Sequence, residues 1–166
     1  MACILMPSAK FQRFPAAPFL IASTAMGFGA VGPYVITRQP VAEPVTQQDL
    51  GWFTANVLEN KAFNWFVVVM AFSALITTGL LDALTTDFSG TVQGYVDLFE
   101  STAICSASSI DGLILCLTAA SLIPEDLQRR GVKDPTKAAG IAAATLLLPV
   151  LGTTLYCALR PPLPEE

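Results

Sequence analysis

The residue best suited to chemistry in this 166-residue chain is Asp111. It sits in the oily run "SASSIDGLILCLTAASLIP", Ser106 to Pro124, with no basic residue near it. A carboxylate at the centre of a membrane helix costs roughly 2.5–3.5 kcal/mol, so it should face protein or water rather than lipid. Three roles follow: a proton or cation site, a hydrogen-bonded pin between helices or to a partner subunit, or a contact with a pigment, quinone or lipid headgroup. Ser108 lies one turn before it and Thr118 two turns after, which makes a thin polar stripe. No cation falls mid-span elsewhere, so the acid is expected either uncharged or bonded to hydroxyls such as those of Tyr34 and Tyr156. Transporters usually carry more than one such group, and many show broken helices in paired halves. With one mid-span acid and no paired halves, the pin is the favoured reading and transport the alternative.

Other chemistry is thin. Glu125 and Asp126 fall roughly 20 Å along the helix from Asp111, too far for a catalytic pair. They are placed instead for local i,i+4 contacts, Glu125 with Arg129 and Asp126 with Arg130. The chain has no histidine, which removes Ser-His-Asp triads, His-bound zinc, His-ligated haem and the usual chlorophyll ligand. Cys105 and Cys116 share a helix face roughly 16 Å apart; with Cys3 and Cys157 they read as small packing residues. "GFGAVG", Gly27 to Gly32, matches a dinucleotide fingerprint, with Asp49 about 20 residues on. The fingerprint needs a preceding strand, and here the glycines lie inside an apolar run. No catalytic set and no metal site is expected, so an enzyme is not.

The elements that must carry these residues are set by composition. The chain is 53% hydrophobic and 13% charged, where soluble domains carry about a quarter charged residues; its mean hydropathy is +0.58. The net charge of −4 excludes a basic nucleic-acid-binding face. Four runs reach the roughly 20 apolar residues that a bilayer needs: 18–37, 63–81, 102–123 and 138–159. The fold expected is all-α, a single domain forming a four-helix transmembrane bundle. Ala25, Gly29 and Pro33 repeat every four residues as a close-packing seam, and the run "AAGIAAAT" offers another through Gly140 and Ala144. Between the first two runs, Thr46-x-x-Asp49 is a capping pattern. Leu50, Phe53, Val57 and Leu58 then share one face beside Trp52, predicting an interfacial helix over 46–60.

Four crossings would put both termini and the acidic 82–101 loop on one side, with Lys10, Arg13 and Arg160. The opposite side would hold Arg38, Lys61, Arg129, Arg130, Lys133 and Lys137. The positive-inside rule then turns the second side toward cytoplasm or stroma and the termini toward the lumen. The first 18 residues, acid-free with two basic residues, read as the remnant of an organelle-targeting segment.

Three patches together resemble a small family of membrane proteins of uncharacterised activity, found in cyanobacteria and in the plastids of plants and algae. The first is "GFGAVGPYVITR", through Gly27, Gly29, Pro33, Tyr34 and Arg38. The second is "SSIDGLILCLTAASLIPEDLQRR", through Asp111, Asp126 and Arg130. The third is "PVLGTTLYCALRP", through Pro149, Gly152, Tyr156, Arg160 and Pro161. Where the family has a proline and aromatics, this chain has Ala119, Ala120 and Ser121. The resemblance implies a multi-pass protein of the plastid thylakoid membrane. It suggests an accessory subunit of a photosynthetic complex, photosystem I with its light-harvesting antenna first, or else a photosystem assembly factor. No cofactor is required; a peripheral chlorophyll (held through water, a carbonyl or the Asn64 amide), a carotenoid or a lipid would be compatible.

Overall fold

The computed structural model describes residues 1–40 and 45–164, with the Lys10 side chain outside the described set. All regular structure among these residues is helical. The organising element is α7, Ala103–Arg129, 27 residues long and so about 40 Å. Among the described residues it is the one helix long and apolar enough by itself to cross a bilayer. A second crossing exists if α4 (Lys61–Thr77) and α5 (Leu80–Thr86) count as one span, bent by 54°. The bend falls at Gly79, whose φ of 71° is the left-handed conformation that ends helices. The expected four spans are therefore corrected to one or two.

The run 18–37 fails as a span because it breaks at its middle. Helix α2 (Ala16–Met26) stops at Gly27, whose φ of 56° and ψ of −136° only glycine adopts easily, and α3 (Phe28–Thr37) folds back along it. Gln12 and Gln39 close the open end: the Gln12 amide donates to the Gln39 carbonyl (2.8 Å) and accepts from its N–H (2.7 Å). The Phe19 and Tyr34 rings pack across the hairpin with centroids 5.6 Å apart.

The run 138–159 breaks in the same way. Asp134 caps α8 (Pro135–Leu147) by accepting from the N–H groups of Thr136 (3.0 Å) and Lys137 (3.3 Å). Pro149 ends the helix, because proline disfavours α geometry in the residue before it. Val150, at φ 68°, is the one non-glycine residue at positive φ among those described, and α9 (Leu151–Leu159) returns along α8. The return brings Gly152 so close that a Cβ there would meet the Thr145 backbone. The glycine is required by this approach.

Both connections also depart from expectation. Thr46 and Asp49 do pair, hydroxyl to carboxylate at 2.9 Å. The chain 46–60 nevertheless divides into a 3₁₀ turn, Gln47–Asp49, and a short helical stretch over 52–58 that is π-wound at Thr54–Leu58, in place of one helix over the whole segment. Leu58 is buried while Trp52 and Phe53 are exposed. The acidic segment 82–101 is helical, as α5 and α6 (Phe88–Ser101), the latter capped by Asp87 onto the Gly90 N–H at 2.9 Å. On α6, Phe88, Val92, Tyr95 and Phe99 share one face opposite Asp97 and Glu100, a 3.6-residue period. That helix is the amphipathic one.

The packing seams are corrected too. Ala25, Gly29, Pro33, Gly140 and Ala144 all face outward. The buried core is Ile4, Leu5, Ala16, Val31, Tyr34, Ala119, Leu122, Ile123, Leu127, Ala138 and Tyr156, gathered around the second half of α7. Ile4 and Leu5 belong to α1 (Ala2–Leu5), so the segment read as a targeting remnant packs as core.

Candidate functional site

Two places hold the predicted site residues. The first lies at the turn of the α2–α3 hairpin. Asp111, half-buried on α7, accepts a 2.7 Å hydrogen bond from the Phe28 N–H, the first residue of α3. The environment that tolerates this acid is thus a helix N-terminus, whose unpaired N–H groups and positive dipole end favour a carboxylate. Neither tyrosine serves it. Tyr156 bonds elsewhere, and the buried Tyr34 hydroxyl has no hydrogen-bond partner. Thr118 donates to the Ile114 carbonyl (2.7 Å) and takes no part. Ser108 joins Asp111 in lining an open recess of about 420 Å³ with Ala25, Met26, Gly27, Ala107 and Gly112.

This geometry sets an expected mutational order. Asp111→Asn keeps an acceptor for the Phe28 N–H and loses only the charge–dipole part, so it should cost about 0.5–1 kcal/mol. Asp111→Leu removes the acceptor and should cost about 1–2 kcal/mol. Denaturation of the purified chain in detergent reads both, and equal losses would count against capping.

The second place is an ion network at the far end of α7, about 22 Å from Asp111. Asp126, with no exposure, is its hub. Its carboxylate accepts from the Tyr156 hydroxyl (2.6 Å), Arg130 Nε (2.9 Å) and Arg160 Nη1 (3.2 Å). Glu59 takes the fork of Arg130 on both oxygens (2.9 and 3.0 Å) and also Arg160 Nη2 (2.9 Å). Such bidentate contacts are the strong class of charge-assisted bond. Glu125 binds Arg38 and, at 3.2 Å, Arg129. Three further arginine donors reach backbone, Arg160 to the Cys3 carbonyl (2.8 Å), Arg130 to Pro161 (2.7 Å) and Arg129 to Ile4 (3.3 Å), while the buried Arg38 Nε and Arg129 Nε have no hydrogen-bond partner. Burial opposes the charge on Arg130, but the Glu59 and Asp126 carboxylates outweigh it and raise its pKa above the ordinary arginine value.

Four arginines and three carboxylates thus join six chain segments: α1, the end of α3, the turn before α4, α7, α9 and the C-terminal tail. The i,i+4 pairs Glu125–Arg129 and Asp126–Arg130 form as expected. What sequence reasoning missed is that Arg38, Asp126, Arg130, Tyr156 and Arg160 form one cluster with Glu59. A signal existed: five polar residues at the ends of oily runs, each costly to bury alone. The arrangement is a clamp, since its groups are used on one another. Among the described residues no group of three or more Cys, Asp or Glu is placed to hold a metal ion.

The network also corrects the assignment of sides. Arg160 touches Asp126, so the end of α9 lies with the end of α7. Because both hairpins return to where they start, Arg13, Arg38, Lys61, Arg129, Arg130, Lys133, Lys137 and Arg160 share one end with α1 and the tail 161–164. The acidic α5–α6 segment is alone at the other. No protein-family model, no curated protein and no solved structure matches this chain.

Proposed function

We propose that this chain is a non-catalytic membrane-embedded scaffold that docks against a larger membrane protein complex. In this reading α7 and the bent α4–α5 pair cross the bilayer, and the α2–α3 and α8–α9 hairpins enter and leave from the basic end. The observation that carries it is the distribution of apolar and charged surface. Phe66, Val69, Ile104, Leu113 and Leu147 are all more than half exposed, at 58–81%. From residue 62 to 128 there is no Lys or Arg, while at the other end Glu59, Glu125 and Asp126 pair with Arg38, Arg129, Arg130 and Arg160. The chain exposes 9969 Å², against about 7,900 Å² for a folded monomer of 17.6 kDa. The excess fits a surface meant for lipid and a partner.

Orientation follows from the basic end, which the positive-inside rule turns to cytoplasm or stroma together with α1 and the tail 161–164. The partner proposed, on the family resemblance, is a thylakoid photosynthetic complex, photosystem I with its antenna foremost. An apolar groove of about 390 Å³ between α7 and the α8–α9 hairpin, walled by Leu127, Ile141, Leu148, Leu155 and Leu159, suits one acyl or isoprenoid tail. Gentle detergent extraction followed by native electrophoresis is the test. Comigration with a large pigmented complex is expected. A free monomer or homo-oligomer would overturn the subunit reading, and company with immature complexes alone would mark an assembly factor.

One observation favours a second reading, a small proton or cation transporter. Asp111, about a third of the way along α7, lies beside an open recess at the break between α2 and α3, and an intramembrane carboxylate is a candidate proton or cation site by its chemistry. In liposomes Asp111→Asn should then abolish ion flux; flux that is absent in the parent chain or unchanged in the variant rules this out.

A further inference from the structure

The groove between α7 and the α8–α9 hairpin has two unlike ends. Ile141, Ala144 and Leu148 form its α8 wall, Leu155 and Leu159 its α9 wall, and Leu127 closes it from α7. Ile141, Leu148 and Leu159 are exposed in the free chain. Positions 141, 144 and 148 make one helical stripe, and Lys137 continues it one turn toward the basic end. From Lys137 to Leu148 the stripe runs about 16 Å, which is one leaflet's share of a hydrocarbon core about 30 Å thick. Lys133 lies four residues before Lys137, in the connection that leaves α7. Both lysines are exposed, and among the described residues neither has an ion-pair partner. Asp134, the acid between them, is turned onto the α8 N-terminus, where it accepts from the Thr136 and Lys137 N–H groups. Arg130 and Arg160, at the same end, are already held by Glu59 and Asp126.

We propose that this groove holds one anionic glycerolipid of the cytoplasmic or stromal leaflet, with an acyl chain between α7 and the hairpin and the charged headgroup on Lys137 and Lys133. The inference rests on the membrane-embedded reading above and gives the ligand its chemistry. Two features of the groove select such a molecule together. Its walls offer no unused hydroxyl: Thr145 donates to the Ala142 carbonyl at 2.7 Å and Tyr156 to Asp126 at 2.6 Å. Its cations stand at one mouth only, where the bilayer interface places a headgroup. A carotenoid or a quinone tail would use the walls and leave the lysines idle. Because Tyr156 is part of the wall, the bound acyl chain also keeps water from one flank of the ion network.

The test uses the full chain in mild detergent, stripped of bound lipid and titrated with phosphatidylglycerol or with phosphatidylcholine of the same acyl chains, with native mass spectrometry as the readout. One phosphatidylglycerol should bind, roughly twentyfold more tightly than phosphatidylcholine. Lys133→Gln and Lys137→Gln should each reduce that preference about fivefold, the usual worth of one lysine at an anionic surface. Ala144→Phe puts a ring into an exposed stretch of the wall. It should abolish binding of both lipids and leave the thermal midpoint of the lipid-free chain near that of the parent. Equal affinity for the two lipids, a preference that survives both lysine substitutions, or unchanged binding in Ala144→Phe would mean general solvation by lipid and overturn the proposal. A copurifying carotenoid, quinone or protein segment that Ala144→Phe displaces would identify another occupant and overturn it as well. A chain that stays monodisperse without detergent would overturn the membrane reading and this inference together, whereas a detergent-requiring chain with no preference for phosphatidylglycerol overturns the lipid site alone.

Discussion

Asp126→Ala should cost about 3–5 kcal/mol, the usual consequence of removing one partner from a buried charge network. Arg129, Arg130 and Arg160 would remain at the buried end of α7, with Glu59 and Glu125 as the remaining carboxylates. The Tyr156 hydroxyl would lose its 2.6 Å acceptor as well. Tyr156→Phe removes only that one charge-assisted bond and should cost about 1.5–3 kcal/mol. The double variant should cost less than the sum, because the hydroxyl has nothing to bond once the carboxylate is gone. Chemical denaturation in detergent measures all three, and strict additivity would show that the two groups do not act as one unit. Since the network joins α1, α3, α7 and α9, the alanine variant should also accumulate poorly in cells.

Gly27→Ala should cost about 3 kcal/mol, for two separable reasons. Its backbone lies where a Cβ is strained, worth about 1–3 kcal/mol. The new Cβ would also land on the Asp111 carboxylate and push it off the Phe28 N–H. Asp111→Ala should cost about 1–2 kcal/mol in the parent chain and little on top of Gly27→Ala, because there the carboxylate has already left the Phe28 N–H. Denaturation midpoints of the two single variants and the double variant test this directly. Equal costs of Asp111→Ala in both backgrounds would show that the carboxylate is not the obstacle. Gly29, with open space around its Cα, is the control, and Gly29→Ala should be close to neutral.

The same residues show how far the sequence carries. Asp111 stood out from composition alone, because a solitary acid in a long apolar run demands a partner. Its partner was out of reach, because a main-chain N–H has no side-chain signature and is free only where a helix begins. The break creating that N–H was legible in principle, as Gly27 before Phe28 and as Pro149 before Val150. A count of apolar residues over a window does not weigh such punctuation, so two hairpins read as two spans. Amphipathicity was misplaced for a similar reason: α6 carries the 3.6-residue pattern through Phe88, Val92, Tyr95 and Phe99, but its acids made it look like a loop.

The sequence by itself determined the helical class, the oily character of α4 and α7, the capping contact between Thr46 and Asp49, and the isolation of Asp111. These follow from local propensity and from hydropathy summed over neighbours, both of which act along the chain. Only the tertiary structure decided that the first and last oily runs fold back, that α1 and the tail 161–164 lie at the basic end, and that four arginines share three carboxylates. A buried charge is tolerated only beside its opposite, and those opposites come from segments up to 101 residues apart, as in Glu59 with Arg160. Their meeting is a property of how the helices pack, which no single stretch of the chain contains.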